Sequence, residues 1–363
     1  MSADATPSEC RAGTDRKLLI LVRADCSAEM GSGHVMRCLA LAQAWQDDGG
    51  VAAFAMAAQS PATTARLAAE DIRVYPVAAA PGSPEDATQT IALARRLVTE
   101  WVVVDGYHFD ADYQRAIRHA GLHLLAVDDF GHCAHYCASL ILNQNSNASK
   151  DYYTHCENST RLLLGLPFVL LRREFTRWLG WRRELQPLGR FLLVTMGGAD
   201  PGNVTPQVMA SLTRMRSTDL AATVVVGGAN PHYDDVVAAA ASSAIAFDIQ
   251  RNIQDIPEYM ARADLAIIAA GGTLWELMFM GCPTMVFART PLQESILLDL
   301  ERQGALVYLG YEDAIDQDRL AATTDKLVRS ADDRHGLTLA GKRLIDGHGA
   351  ARVLRAMREV QPG

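Results

Sequence analysis

The sequence LLILVRADCSAEMGSGHVMRCLALAQAWQDDGG, residues 18–50, contains one complete strand, loop and helix pattern. Its first eight residues form an apolar run that ends in charge, which is typical of a buried parallel strand. After a glycine-containing loop, apolar residues recur at helical spacing until Gly49 and Gly50, where the pattern stops. This stretch therefore predicts a parallel strand that is joined directly to a helix.

The same alternation continues along the chain. Further apolar strands are predicted at VAAFAMAA (51–58), WVVVDGY (101–107) and LHLLAVDDF (122–130). An arginine-rich stretch, residues 172–189, interrupts the alternation, which resumes with RFLLVTMGGADPGN from residue 190. Alternating strands and helices indicate a mostly parallel sheet with helices on both faces. We therefore predict an α/β protein with two α/β domains, and two domains that face each other would form a ligand cleft between them.

The interruption also predicts the domain boundaries. We place the N-terminal domain at residues 17–185 and the C-terminal domain at residues 186–345. Residues 1–16 are expected to be a flexible N-terminal extension. Residues 346–363 contain the helical pattern GAARVLRAMREV and form a separate C-terminal segment.

The composition is that of a globular protein. Of 363 residues, 49% are apolar and 21% are charged, which excludes a disordered chain. No run of about 18 apolar residues spans a membrane, and the first ten residues lack the features of a secretory signal. The net charge of −8, without a run of basic residues, argues against a nucleic-acid partner. Seven scattered cysteines favour a reducing compartment, so we expect a cytoplasmic monomer or weak homo-oligomer without membrane insertion.

The loop between the first strand and the first helix is the sharpest local feature. In Gly31-Ser32-Gly33-His34, the glycines allow the backbone to approach a ligand, and the helix offers free N–H groups to an anion or a sugar. His34 is predicted at the positive end of the helix dipole, which favours the neutral ring that a general base requires. The alternative is a tight turn in which His34 only caps the helix.

Carboxylates follow several of the predicted strands. Asp105, Asp128 and Asp129 should converge near His34 if their strands neighbour the first, and Asp25 ends the first strand itself. These side chains, together with Tyr107, could orient the imidazole or bind sugar hydroxyls. Helix N-capping is the competing use of the aspartates.

Two glycine-rich loops mark the second half. GGADPGN, residues 197–203, follows a strand and indicates either close backbone approach to a ligand or an ordinary Asp-Pro-Gly turn. Gly271, Gly272 and Thr273 precede a helix whose start suits a diphosphate, and Glu276 suits ribose hydroxyls. A glutamate in a first helical turn also simply complements the dipole.

The cluster His132-Cys133-x-His135-x-Cys137 has the residue types of a zinc site. Four ligands within six residues rarely surround one ion, because tetrahedral sites draw ligand pairs from separate segments. No C-x-x-C partner pair is evident in the sequence. We therefore expect neither a metal nor another cofactor.

Six motifs in one order resemble the UDP-2,4-diacetamido-2,4,6-trideoxy-β-L-altropyranose hydrolases of pseudaminic acid biosynthesis. The resemblance covers roughly residues 18–310. It implies two facing Rossmann-like domains, as in the GT-B fold of nucleotide-sugar glycosyltransferases of the MurG type, with the active site in the cleft between them. It also implies hydrolysis at the anomeric carbon without a metal. In that fold the C-terminal segment crosses back onto the first domain. The motifs are RADCSAEMGSGHVMRCLALAQAW, VVVDGYHFDADYQ, LLAVDDF with LILNQN, LLLGLPFVLLRREF, LLVTMGGADPGN and AGGTLWELMFMG.

The resemblance also implies residue roles. The family's catalytic histidine falls on His34, the general base that activates water, with Arg37 one turn further on. We predict that UDP is bound in the C-terminal domain by Ile253, Gly271, Gly272, Thr273, Glu276 and Gln293. We predict that the rest of the substrate is bound by Asp25, Gly33, Arg37, Asp105, Tyr107, Asp128, Asp129, Gly198 and Asn203.

Two departures from the family concern the sugar rather than the reaction. Gln293-Glu294-Ser295 stands where an Asn-Gln pair is common, and Gly106 follows Asp105 where a histidine is frequent. Glu294 beside a phosphate would be repulsive, so we expect this loop to contact the sugar differently.

Two other functions use the same scaffold. A glycosyltransferase would deliver the sugar from UDP to an acceptor hydroxyl, and a non-catalytic protein would only bind the nucleotide sugar. The glycine loop with His34 favours an enzyme, because binding alone needs no base there.

Overall fold

Two parallel β-sheets organise the chain. The computed structural model describes residues 18–27, 31–216, 219–243, 245–251, 253 and 255–360, so the predicted extension 1–16 lies outside the described residues. The described part contains one sheet of seven strands and one of six, and every neighbouring pair of strands is parallel. The predicted α/β class with two domains is confirmed.

The elements of the first half alternate as the sequence predicts. Its strands are β1 (Leu19–Ala24), β2 (Val51–Met56), β3 (Arg73–Pro76), β4 (Trp101–Asp105), β5 (His123–Val127), β6 (Leu140–Asn143) and β7 (Arg161–Leu164). Its helices are α1 (Gly33–Asp47), α2 (Pro61–Ala68), α3 (Pro84–Leu97) and α4 (Ala111–His119). Short 3-10 helices cover Lys150–Tyr153, Leu166–Phe168 and Arg173–Trp178.

The second half repeats the arrangement. Its strands are β8 (Phe191–Thr195), β9 (Ala221–Val226), β10 (Ala246–Arg251), β11 (Leu265–Ala269), β12 (Thr284–Ala288) and β13 (Val307–Tyr311). Its helices are α5 (Thr205–Leu212), α6 (Tyr233–Ala241), α7 (Ile256–Arg262), α8 (Gly272–Phe279), α9 (Pro291–Arg302), α10 (Gln317–Arg329) and α11 (Ala331–Leu344), followed by α12 (Gly349–Glu359).

Burial on both faces explains the unbroken apolar strands. In β1, Ile20 and Val22 pack into the core beneath α1, whereas Leu21 packs into the core beneath α3 and α4. Successive strand residues point to opposite faces, so a sheet that is covered twice needs apolar residues at every position. The period-two alternation of a half-exposed strand is therefore missing from these segments.

The strand order places a crevice at the carboxyl ends of both sheets. The first sheet runs β3-β2-β1-β4-β5-β6-β7, and the second runs β10-β9-β8-β11-β12-β13. The order reverses beside β1 in the first sheet and beside β8 in the second. Loops that leave strands at such a reversal line a ligand crevice. These are the loops before α1, after β8 and before α8.

The chain crosses between the hydrophobic core under α1 (the first core) and the core around α8 (the second core) both before and after the second domain. Leu170 is buried in the first core, whereas Leu171 and Phe175 are buried in the second, before the predicted boundary at residue 185. Helix α12 then returns, and its Val353 and Met357 are buried in the first core with residues of α1. The first domain is therefore completed by residues from the far end of the chain.

Helix α12 docks through a glycine that tolerates no side chain. A Cβ at Gly349 would lie 2.0 Å from the carbonyl oxygen of Val169. Because backbone cannot yield cheaply, we expect Gly349→Ala to lower the free energy of unfolding by roughly 1–3 kcal/mol. Urea denaturation measures this change.

The matched control is Gly336→Ala in α11, where a Cβ would meet nothing within 4 Å. Alanine there should be neutral or stabilise by up to about 1 kcal/mol. Equal effects of the two substitutions would contradict the close docking of α12.

Candidate active site

His34 lies at the start of α1 and contacts a strand-end carboxylate. It is the second residue of that helix, and its Nδ1 lies 2.6 Å from Oδ1 of Asp105, the last residue of β4. Because β4 pairs directly with β1, the loop after β1 and the end of β4 are adjacent. A neutral imidazole that donates Nδ1–H to Asp105 carries its lone pair on Nε2. The contact thus favours the tautomer whose Nε2 lone pair is free.

Arg37, one turn further along α1, joins two carboxylates. Its Nε and Nη2 donate to Asp105 at 2.6 and 2.7 Å, and its Nη1 donates to Asp129 at 2.8 Å. Burial alone would raise the pKa of the Asp105 carboxyl, but the charges of Arg37 and His34 hold that pKa well below its usual range. Arg37 likewise lowers the pKa of Asp129 against the effect of burial. Both carboxylates are therefore ionised near neutral pH.

An aromatic wall stands beside this cluster. Tyr107 donates from its hydroxyl to Oδ2 of Asp129 at 2.7 Å, and burial and that carboxylate raise the pKa of Tyr107. The Tyr107 ring packs edge-on to His34 at 5.4 Å between centroids and lies 5.0 Å from Phe130. Tyr107 and Phe130 remain 47% and 39% exposed, so the wall is open to a ligand.

Two predicted carboxylates do not join the cluster. Asp25 is fully buried, and its oxygens accept from the backbone N–H groups of Ala57 and Ala58 and from Arg23. Arg23 in turn pairs with buried Asp86. Of the three aspartates that were expected to converge near His34, Asp105 and Asp129 meet there through Arg37 and Asp128 does not. The predicted substrate role of Asp25 stays a prediction.

Asp128 turns away from its neighbour Asp129. It is fully buried and accepts from the Tyr153 hydroxyl at 2.7 Å, from the Gly131 N–H at 2.6 Å and from Nδ1 of His132. Burial is outweighed by these bonds, which lower the pKa of Asp128 to about 2. Although burial opposes it, the bond to Asp128 raises the pKa of His132 to about 10. Asp128 therefore holds the loop that carries Asp129, and neither aspartate caps a helix.

The glycine loop after β8 faces the first domain. A Cβ at Gly198 would lie 3.1 Å from Oγ of Ser32, so the two glycine loops meet across the cleft, and Gly33 begins α1 directly beside this contact. Asn203, at the end of the loop, donates from Nδ2 to Asp235 of α6 at 2.8 Å. Gly198 is therefore placed at the cleft, whereas the amide group of Asn203 is directed to α6.

The N-terminus of α8 provides open backbone donors. Gly271 precedes the helix, Gly272 begins it, and both are exposed. Glu276 lies one turn further on, buried, with Oε1 accepting from Nε and Nη2 of Arg172 at 2.9 and 2.8 Å. Burial raises the pKa of Glu276 above its usual value although Arg172 opposes this. Thr273 lies half-buried between the glycines and this carboxylate.

The departure at 293–295 has a structural explanation. Glu294 accepts hydrogen bonds from the hydroxyls of Tyr308 and Tyr311, each at 2.9 Å. Two residues of β13 therefore bind its carboxylate. Gln293 accepts from the Arg289 N–H at 2.8 Å and donates to the carbonyl of Ala270, which fixes it beside the α8 loop. The predicted UDP residue Ile253 is half-buried and packs against the second core.

The sequence reasoning missed two arginines at the cleft. Arg172 lies in the arginine-rich stretch 172–189, for which the sequence predicts no ligand contact. It nevertheless binds Glu276, which lies 104 positions further along the chain. Arg289 follows β12, donates to the carbonyl of Met196 beside the Gly197 loop and pairs with Glu312 at 2.8 Å. The one available signal for Arg172 was its place in the motif LLLGLPFVLLRREF.

Comparison with known proteins places this geometry in a fold group. Residues 192–340 match the family model of the Glycosyltransferase family 28 C-terminal domain. MurG of Acinetobacter baumannii superposes with a TM-score of 0.65 at 14% identity, over 95% of this chain and 100% of that one. The chain has the GT-B fold. The UDP co-structure of Staphylococcus aureus MnaA gives a TM-score of 0.64 at 14% identity, over 94% of this chain and 96% of that one.

Three curated relatives are similar in sequence. An uncharacterised protein of Methanocaldococcus jannaschii is 24% identical over 76% of this chain and 56% of its own length. The spore coat polysaccharide biosynthesis protein SpsG of Bacillus subtilis is 26% identical over 57% of this chain and 60% of its own. The UDP-2,4-diacetamido-2,4,6-trideoxy-β-L-altropyranose hydrolase of Campylobacter jejuni is 26% identical over 56% and 68%. The match thus spans less than two thirds of the first two relatives.

Among the described residues, no helix has the length and apolar character needed to cross a lipid bilayer.

The buried pair of Asp128 and His132 generates a pH-dependent prediction. We expect His132→Gln to lower the free energy of unfolding by about 3 kcal/mol at neutral pH, because Asp128 loses its charged partner. The folded-state pKa of His132 is raised to about 10. Its stabilisation is therefore complete below about pH 6.5, the unfolded value, and is lost as the pH rises towards the folded value.

Urea denaturation of the wild type and the variant at about pH 6 and about pH 9 tests this, and the difference should shrink at the higher pH. His119→Gln, at the exposed end of α4, is the matched control and should change little at either pH. A difference that is the same at both pH values would contradict the raised pKa.

Proposed function

We propose that this protein hydrolyses a UDP-linked 2,4-diacetamido-2,4,6-trideoxyhexose to UDP and the free sugar, with His34 as general base. The observation that carries the proposal is the contact of Nδ1 of His34 with Asp105, which leaves Nε2 as the basic nitrogen. Similarity to the Campylobacter jejuni hydrolase supports the substrate class. Arg37 keeps Asp105 ionised, so the imidazole is held in one orientation before a substrate arrives.

The reaction follows from that geometry. A water molecule attacks the anomeric carbon while Nε2 of His34 takes one of its protons. The bond between this carbon and the diphosphate oxygen breaks, and the electron pair leaves with UDP. The products are a sugar with a free anomeric hydroxyl and UDP. A positioned base of this kind contributes about 10²–10⁴ in rate.

The second domain supplies the nucleotide site in this proposal. The free N–H groups at the start of α8 and in the glycine loop after β8 face the diphosphate and offset the charge that grows on it. Both Arg172 contacts converge on Oε1 of Glu276, so we assign Oε2 to the ribose hydroxyls. The UDP co-structure of Staphylococcus aureus MnaA, which has a similar fold, supports UDP as the nucleotide in this proposal.

The sugar lies against the first domain. Tyr107 and Phe130 present exposed ring surface that suits the apolar C6 methyl and the acetamido methyl groups. Behind this wall, Nδ2 of Asn145 donates a hydrogen bond to Oδ1 of Asp129 at 3.0 Å. The proposal thus assigns apolar substituents to the wall and polar recognition to the cluster around Arg37.

A glycosyltransferase is the second candidate, because residues 192–340 match the family 28 glycosyltransferase domain. The deciding assay supplies UDP-2,4-diacetamido-2,4,6-trideoxy-altrose without an acceptor and with EDTA, and follows UDP and free sugar by NMR. Release of both in equal amounts supports a hydrolase that needs no metal. Binding without turnover would overturn the hydrolase and favour the transferase.

The base assignment predicts a separation of chemistry from binding. We expect His34→Gln to lower kcat by about 10²–10⁴ while the Kd for UDP changes by less than about twofold. His119→Gln is the control and should keep wild-type turnover. Near-normal turnover of His34→Gln would show that another group is the base.

The ribose assignment predicts the opposite separation. We expect Glu276→Gln to raise the Kd for UDP about tenfold, since hydrogen bonds to a charged group are lost. Calorimetry with UDP and 2′-deoxy-UDP tests the cause, because the variant should lose most of the discrimination between them. Unchanged discrimination would place the ribose elsewhere.

A further inference from the structure

The motif His132-Cys133-x-His135-x-Cys137 divides into two halves that face different ways. His132 binds Asp128, and the Cys133 sulfur contacts Nε2 of His132 at 3.2 Å and the carbonyl of Phe109 at 3.3 Å. His135 and Cys137 instead meet Glu157, which belongs to a separate segment. Only the second half of the motif therefore forms a cluster of donors that the candidate active site does not use.

Local backbone pairing brings this cluster together. Tyr136 and Cys156 form a parallel bridge, in which the Tyr136 N–H donates to His155 and the Glu157 N–H donates to Tyr136. Residues on either side of bridge partners point to the opposite face. Tyr136 and Cys156 pack on the core of the first domain, so His135 and Cys137 lie on the opposite side of the bridge with Glu157. There Cys137 is buried, whereas Glu157 is exposed. Two ligand pairs from separate segments, H-x-C and H-x-E, are thereby placed side by side.

We propose that His135, Cys137 and Glu157 bind one Zn²⁺ ion. Nε2 of His135 lies 3.2 Å from Oε1 of Glu157, and the Cys137 sulfur lies 3.9 Å from the same oxygen. Zinc bond lengths and a tetrahedral angle require separations of about 3.4 Å between nitrogen and oxygen and about 3.6 Å between sulfur and oxygen. The three donor atoms lie within 4.8 Å of one another, so small side-chain movements complete the site.

The donor set favours zinc over harder cations. A thiolate with an imidazole and a carboxylate is a combination that Zn²⁺ binds, whereas Mg²⁺ and Ca²⁺ select oxygen ligands. His155 is the residue before Cys156 of the bridge and is exposed. We assign the fourth position to its ring, which must rotate to reach the ion. The ion site then has the ligand pairs from two segments that are typical of structural zinc.

The ion would clamp two segments that both hold Asp128. His132 reaches Asp128 from the first segment and Tyr153 reaches it from the second. Zinc bound to the folded chain stabilises it by mass action. The site is thus structural, and it acts on the loop that carries Asp129.

The test uses the full chain, freed of metal with EDTA and kept reduced. We expect one equivalent of Zn²⁺ to bind in competition with a chromophoric chelator and to raise Tm. Co²⁺ should give a thiolate-to-metal charge-transfer band. Cys137→Ser should abolish the band and weaken Zn²⁺ binding by more than about 100-fold, whereas the matched control Cys133→Ser keeps both.

Glu157→Gln extends the test and should also weaken Zn²⁺ binding. Glu157 lies at the surface, so a folding defect in Cys137→Ser cannot decide the outcome alone. No stoichiometric binding, a band that survives in Cys137→Ser, or unchanged Zn²⁺ binding in Glu157→Gln would overturn the site.

Discussion

The first-domain side of the cleft depends on one guanidinium. Arg37 lies between Asp105 and Asp129, which follow the neighbouring parallel strands β4 and β5. Without Arg37, these two neighbouring buried carboxylates would repel each other, and their pKa values would rise. Because Arg37 keeps both ionised, Asp105 can orient His34 and Asp129 can hold Tyr107. A single helical residue thus organises the base and the aromatic wall together.

On the other side of the cleft, Glu276 belongs to a series of ion pairs that joins the domains. Glu276 pairs with Arg172, Arg172 with Glu174 at 2.8 Å, and Glu174 with Arg66 of α2 at 3.2 Å. These contacts run from the second domain through the connecting segment to the first domain. The charge of Glu276 is therefore coupled to the domain connection as well as to the start of α8.

Most of the fold could be predicted from local sequence, and only part of the site could. Strands covered on both faces are unbroken apolar runs, so β1, β4 and β5 are visible in the sequence. The short strands β3 and β7 are half-exposed and carry charge, which hides them. Asp25 follows β1 and Asp105 ends β4, and Ala24 rather than Asp25 is in register with Asp105. Arg23 and two backbone N–H groups hold Asp25 in the core, whereas Arg37 of α1 holds Asp105 at the cleft. Strand register and helix packing decide these partners, and the local sequence specifies neither.

The return of α12 to the first core has a consequence for synthesis on the ribosome. Val353 and Met357 cover the same core as Leu39 and Leu41 of α1, which are made more than 300 residues earlier. Until α12 emerges, this apolar face of the nascent first domain stays exposed to solvent and to chaperones. The first domain is therefore translated first but completed last, after the second domain has already had time to fold.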